Sequence, residues 1–493
     1  MDSTSISTRL DDLKINLGIL SFPMLLILLF VGSFLIHLLI VTIFMNQPVA
    51  LDDMFQYDML ARSLKAGNGF RWYSKADVEI LRPYYSQFLD IDHLPFPVEG
   101  LKTAFRAPGY PFFLAFIYFF VPESLRLIFA RLVQAIAAGL LAPLAAVLCH
   151  QIGFSGKVTV LSAIGVSLYP ILLFYPVGLA SENLYILLGM LSVLALHRST
   201  HRHSWRWVLL AGLLSGLTMF TRSIFAVFTL LSACWLCRFS PLKKKAGLIF
   251  LLTAFGVCLP WSIRNSLIMQ KPAFVENSVA YNMFIGYHPQ GDGGFVSRIA
   301  IIPMNILDDG ERERFCMQQA LEFIRQNPIE SARRILVRLV KFIGPEDREF
   351  FFFYSNNLLG AIPQPWLALV YALLLFPWGF TLLFGVLGLW LSRHHQLTFL
   401  VILLLIGYAL PHLFIIAEPR FHLAFVPLLM PFAAHAWVSK RKIQWRWLSK
   451  KEYLLITAIL MLLTILFISG FALNLPTLIS IMSEGGNKLS FSY

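Results

Sequence analysis

INLGILSFPMLLILLFVGSFLIHLLIVTIFMNQPVALDD, residues 15–53, carries no formal charge until its last two positions, Asp52 and Asp53. About 20 apolar residues cross a bilayer, so this run spans with length to spare. The chain then leaves the membrane straight into a carboxylate pair. Such a pair at a lipid–water boundary is costly unless it has partners or a task. The loop it opens, residues 51–107, is therefore the first place to look for chemistry.

The rest of the chain is built in the same way. Of 493 residues, 57% are hydrophobic and 14% charged, where soluble domains hold about 25% charged residues. The composition predicts an all-α polytopic membrane protein and excludes a soluble globular domain. Apolar runs lie near 17–45, 108–121, 131–149, 157–176, 181–197, 206–221, 223–238, 246–263, 366–391, 396–417, 419–438 and 453–474, about eleven to thirteen transmembrane spans. Segment 108–121 is short and begins Pro108-Gly109-Tyr110-Pro111; it either crosses or forms a re-entrant helix, which protein surroundings permit. No internal repeat and no low-complexity tract occurs.

The net charge of +13 does not imply nucleic acid. The excess lies in short loops, as the positive-inside rule expects. With the basic clusters His197–Arg206, Arg238–Lys245, Arg393–His395 and Lys440–Lys451 placed in the cytoplasm, loop 51–107, loop 264–365 and the turn Glu418–Arg420 face outward. No cleavable signal peptide is expected at the start, and only a short outer tail after the last span.

Both outer loops carry helical patterns. Tyr57, Leu60, Ala61 and Leu64 fall on one helical face, suiting a helix in the interface, and Gly67-Asn68-Gly69 ends it. The second loop holds a flexible turn, Gly291-Asp292-Gly293-Gly294, then a helical pair broken at Pro328. Ile329, Ala332, Leu336, Leu339 and Ile343 share one face of its second half, and Arg334, Arg338 and Lys341 another.

Five cysteines include a CxxC, Cys234 and Cys237, inside an apolar run. Without a histidine nearby they read as packing residues, not a zinc or redox centre. His93, His288 and His422 read as solvated or structural. No metal site and no cofactor is expected; a divalent cation is compatible with the outer-face carboxylates, with nothing in the sequence that calls for one.

Four groups of residues resemble motifs of one family. They are Asp52/Asp53 with Tyr57 and Gly67-Asn68-Gly69-Phe70; Arg106-Ala107-Pro108-Gly109-Tyr110-Pro111; Pro260-Trp261-Ser262-Ile263-Arg264-Asn265 followed by Tyr281-Asn282 and Gly286; and Glu418-Pro419-Arg420-Phe421 with Pro427. Taken in order, they resemble the GT-C membrane glycosyltransferases, in the bacterial branch related to dolichyl-phosphate-mannose protein mannosyltransferases and the lipid A aminoarabinose transferase. The resemblance implies a GT-C-like helical bundle over residues 1–438. Residues 439–493 then supply a cytoplasmic basic turn, a last span and a short outer tail.

The resemblance also implies a reaction. A sugar moves from a polyprenyl-phosphate donor to an acceptor hydroxyl on the outer face of the inner membrane. The acceptor would be a glycolipid, a wall polymer or a protein. Asp53 and Asp52 are the candidate general bases: spacing to Tyr57 points to Asp53, position at the membrane exit to Asp52. Only one serves, because adjacent ionised carboxylates repel. The leaving phosphate calls for cations, and Arg106, Arg264, Arg334, Arg338 and Lys341 are the candidates. Tyr57, Asn265, Glu418 and Arg420 join the substrate site through their motifs. Glu182 and Arg222, at predicted outer span ends, either line the cavity or pair with each other. Two other classes compete: a transporter or lipid flippase, and a membrane polysaccharide polymerase or ligase. Transporters tend to show matched halves with broken helices, which this sequence lacks, and polymerases would not need the early Asp pair.

Overall fold

The computed structural model describes residues 21–50, 53–85, 94–201, 205–347, 350–351, 362–439 and 449–483. Asp52, His93 and most of the Lys440–Lys451 turn lie outside them. The described chain is helical apart from one pair of two-residue strands.

Helix α1 (Phe22–Ile43) starts after Ser21, with Pro23 in its first turn, where the missing N–H costs nothing. At 1.5 Å per residue it is about 33 Å long, enough to cross the hydrocarbon core. It buries only Leu25, Ser33, His37 and Val41, which recur along one face. That face meets the helix Arg126–Gly139, and Gly139 allows the close approach: a Cβ there would stand 3.0 Å from the Phe34 backbone.

After α1 come α2 (Asp53–Lys65), β1 (Arg71–Trp72), the helix Lys75–Tyr85, β2 (Leu101–Lys102) and the helix Gly109–Phe119. Helix α2 ends where expected: Gly67 and Gly69 take φ of 79° and 80°, left-handed values that suit glycine. Its apolar face is turned onto Gly109–Phe119 rather than onto lipid, with Tyr57 and Ala61 packed among Tyr110, Leu114 and Tyr118. With 11 residues, Gly109–Phe119 is about 16 Å long, shorter than the hydrocarbon core of a bilayer, which favours the re-entrant alternative for 108–121.

Asp58 locks α2 in place. Its carboxylate, 1% exposed, accepts from Arg62 at 2.8 Å, from Arg126 at 3.0 and 3.1 Å, and from the Tyr118 hydroxyl at 2.9 Å. Burial pushes this carboxyl up, but the Arg126 hydrogen bonds and the charges of Arg62 and Arg126 outweigh it and hold the carboxyl below its ordinary value. A lowered folded-state value means stabilisation that is complete above the ordinary carboxylate range and lost as pH falls through the lowered value. Asp58→Ala is expected to cost about 3 kcal/mol at neutral pH, by removing the buried carboxylate that Arg62, Arg126 and Tyr118 share and leaving the two arginines only Asp77 and Glu123. Thermal melts in detergent should show the gap to wild type closing only in acid; a constant gap down to pH 3 would contradict the assignment.

Seven helices among the described residues are long and apolar enough to cross a membrane, with an eighth if one bent pair counts as a span. The seven are Phe22–Ile43, Glu123–Ile152, Lys243–Met269, Pro365–Leu391, Gln396–Phe414, Pro419–Ser439 and Lys450–Ile479. Glu182–His201 is also 20 residues long, and Trp205–Thr221 and Phe225–Phe239 are shorter apolar helices. The eleven to thirteen spans expected thus compare with seven or eight helices of spanning length and composition among the described residues. The span expected over 157–176 is not straight: Gly156–Ser167 and Pro170–Val177 meet at 53°. Pro170 explains the break, since it lacks an N–H and disfavours helical backbone at Tyr169. The bend turns Phe174, Tyr175 and Val177 toward a cavity.

In the second loop, the helices Ser278–Tyr287, Asp309–Gln326 and Pro328–Ile343 pack over the same cavity. His422 is structural: it is fully buried, stacked on Trp378 with ring centroids 3.8 Å apart, and its Nδ1 faces the Phe342 carbonyl at 2.7 Å.

Candidate active site

The cavity has a volume of about 970 Å³, at the top of the usual range for ligand sites. Its wall is drawn from both large loops, the bent span, the Glu418–Phe421 turn, and Asn474 and Thr477 of the last helix. No residue of the clusters 197–201, 238–245 or 393–395 reaches it. The segments expected outside thus converge on one space, and the described basic segments lie away from it.

Asp53 stands in the first turn of α2 and is one-third exposed to the cavity. Arg106 donates to its Oδ1, and Arg420 approaches its Oδ2 at 3.3 Å. Arg106 also donates to the Gln56 side-chain oxygen, at 2.8 Å from Nε and 2.6 Å from Nη2, and lies 5.5 Å from the Tyr57 ring centre. Arg420 donates to Glu418 at 2.7 Å. Beside them, Arg222 donates to Glu182 at 2.5 Å, and the Tyr57 hydroxyl reaches Ser181 at 3.4 Å. Glu182 and Arg222 therefore do both things foreseen: they pair, and they line the cavity. The result is a row of alternating charges, with Asp53 between two guanidiniums.

Backbone clamps aim these side chains. Arg106 follows β2 and the pair Thr103-Ala104. Asp309 accepts from the Thr103 hydroxyl at 2.7 Å and from the Ala104 amide at 2.5 Å. Arg264 donates to the carbonyls of Thr103 at 2.5 Å and Phe70 at 3.1 Å, and stacks 4.6 Å from the centre of Trp261. The Asn265 amide donates to the carbonyls of Phe274 and Val275, each at 2.9 Å. That fixes the loop carrying Glu276, a cavity residue. Arg338, fully buried, donates to the carbonyls of Gly286 at 2.7 Å, Gly293 at 3.0 Å, and Leu413 and Phe414 at 3.2 Å each. It so anchors the helix end from which the Glu418–Arg420 turn departs. Arg334 donates to the carbonyls of Gly286 and His288 and to Glu330.

Arg264, Asn265, Arg334 and Arg338, expected in the substrate site, are not among the residues that line this cavity. Most of their donors meet backbone carbonyls, and Arg334 borders a separate cleft with Tyr287, His288 and Glu330. Lys341 does line the large cavity, with its ammonium 2.5 Å from Asp292. Arg264→Ala is accordingly expected to lower the melting temperature in detergent. A fully stable Arg264→Ala protein would contradict the clamp.

Sequence reasoning passed over Gln56, Glu276, Tyr281 and His412, all on the cavity wall. Tyr281 lay inside a quoted motif, but Glu276 had only one signal, an acid in a short loop after a span. Among the described residues no group of three or more His, Cys, Asp or Glu side chains is placed to hold a metal ion.

No protein-family model matches the chain, and no curated protein matches it in sequence. Among solved structures it is similar to the oligosaccharyltransferase of Archaeoglobus fulgidus in its apo form, with TM-score 0.44 and 14% identity over 90% of this chain and 55% of that one. The chain thus spans about half the length of that protein. It is also similar to ArnT of Cupriavidus metallidurans bound to undecaprenyl phosphate, with TM-score 0.35 and 13% identity over 85% of this chain and 79% of that one. Both are GT-C glycosyltransferases, the class that the sequence motifs resemble.

Proposed function

We propose that this protein is an integral-membrane glycosyltransferase. It moves a sugar from a polyprenyl-phosphate donor to an acceptor hydroxyl at the outer face of the membrane, with Asp53 as general base. The observation that carries this reading is Asp53 itself. It is a cavity carboxylate with Arg106 and Arg420 beside it and apolar walls around.

Each part matches a need of the reaction. The acceptor oxygen attacks the anomeric carbon, and the bond from that carbon to the phosphate oxygen breaks. The phosphate leaves with the electron pair, and the acceptor proton goes to Asp53. The leaving group gains negative charge, and guanidiniums suit a phosphate through paired N–H donors. Arg106 and Arg420 supply them, with Lys341 further along the wall. An apolar prenyl chain finds matching walls in Phe44, Phe174, Phe295, Ile301 and Met304.

Outward orientation rests on charge distribution and is tested by cysteine labelling. A single cysteine at position 75 is expected to react with an impermeant reagent applied from outside, and one at 243 is not. The reverse pattern would overturn the location of the site.

A further inference from the structure

Glu276 differs from the other carboxylates of the charged row. Asp53, Glu182 and Glu418 each pair with an arginine. Glu276 forms no ion pair among the described residues. Its Oε1 accepts from the Ser223 amide at 3.2 Å and hydroxyl at 2.6 Å, and its Oε2 accepts from the Ser278 hydroxyl at 3.0 Å. All three donors are neutral. An ionised carboxylate has about four acceptor sites, so Oε2 keeps one more. Glu276, Ser223 and Ser278 all border the cavity. The carboxylate is held rigid, because its loop is pinned by Asn265.

We infer that Glu276 is a specificity residue for the sugar of the donor. Its open acceptor site takes a hydroxyl of the ring, and its negative charge, hydrogen-bonded by neutral donors alone among the described residues, disfavours a sugar that carries a carboxylate. This rests on the glycosyltransferase reading and names the class of sugar within it: neutral, not uronic.

The two roles separate physically. Phosphate binding belongs to the arginines, so bare lipid phosphate does not feel Glu276 favourably. Sugar binding gains a charge-assisted hydrogen bond, an interaction whose loss lowers affinity by about 10- to 100-fold. Like charges brought together in a partly dry site disfavour the acidic sugar.

The test is a binding comparison on the purified full chain. The probes are undecaprenyl phosphate, the same lipid carrying neutral hexoses, and the same lipid carrying the matching uronic acids. For wild type, at least one neutral hexose lipid is expected to bind at least 10-fold more tightly than bare lipid, and its uronic counterpart no more tightly than bare lipid. In Glu276→Gln, bare-lipid affinity should hold within about twofold, the neutral advantage should shrink about 10-fold, and the uronic lipid should gain. Glu276→Ala, with its melting temperature recorded, should lose the neutral advantage further. Unchanged ratios of sugar lipid to bare lipid in both variants overturn the role of Glu276 while leaving the transferase reading intact. Failure of wild type to bind any of these lipids overturns both.

Discussion

Asp53→Asn is expected to leave a folded, lipid-binding protein that transfers sugar about 10²–10⁴ times more slowly, the range for removing a general base. Asparagine keeps the size of the side chain and one oxygen to accept from Arg106 or Arg420. It removes the group that takes the acceptor proton. The variant also weakens two ion pairs, so some loss of stability is expected, but the loops stay pinned by Asp58, Asp309, Arg264 and Arg338. The expected signature is therefore a fall in turnover with the melting temperature and undecaprenyl-phosphate affinity close to wild type. Full turnover in Asp53→Asn would remove this carboxylate from the chemistry and reopen the transporter reading.

The second large effect belongs to Arg420. It bridges Asp53 and Glu418, and it is on the cavity wall. A bound phosphate would draw the same donors. Removing one preorganised donor from developing negative charge typically costs about 10²–10³ in rate, and Arg420→Ala is expected to fall in that range. Arg420→Lys restores charge but not the planar fork, so its rate should lie between the two. Single-turnover transfer and bare-lipid binding, measured side by side, separate the roles. A loss confined to stability, with both functions intact in the protein that remains folded, would make Arg420 a scaffold residue like Arg338.

That contrast shows how far the sequence could be read. Helical class and membrane insertion follow from hydropathy, because a bilayer demands long apolar helices. Asp53, Arg106, Glu418 and Arg420 could be singled out by motif, and all four border one cavity. Arg264, Arg334 and Arg338 looked equivalent to them, since an arginine at a span end or on the polar face of a loop helix reads the same whether its fork meets a phosphate or a carbonyl. Only the fold distinguishes the two. Arg338 lies against carbonyls contributed by residues 286, 293, 413 and 414, a conjunction no local pattern encodes. Glu276 was illegible for the converse reason: its proposed role rests on having only neutral hydrogen-bond donors among the described residues. The break at Tyr169-Pro170 was open to reading, because a proline inside an apolar run interrupts the helix ladder, but hydropathy alone draws such a run as one straight span.

The central claim is that this protein consumes a polyprenyl-phosphate sugar. Its most direct test is mass spectrometry of lipids and envelope molecules from cells lacking the gene, carrying wild type, or carrying Asp53→Asn. Cells lacking the gene and Asp53→Asn cells should both accumulate the sugar-charged polyprenyl phosphate and lack one sugar increment on an envelope acceptor, and wild type should reverse both changes. Identical polyprenyl-phosphate pools and identical acceptor masses in all three would contradict the account.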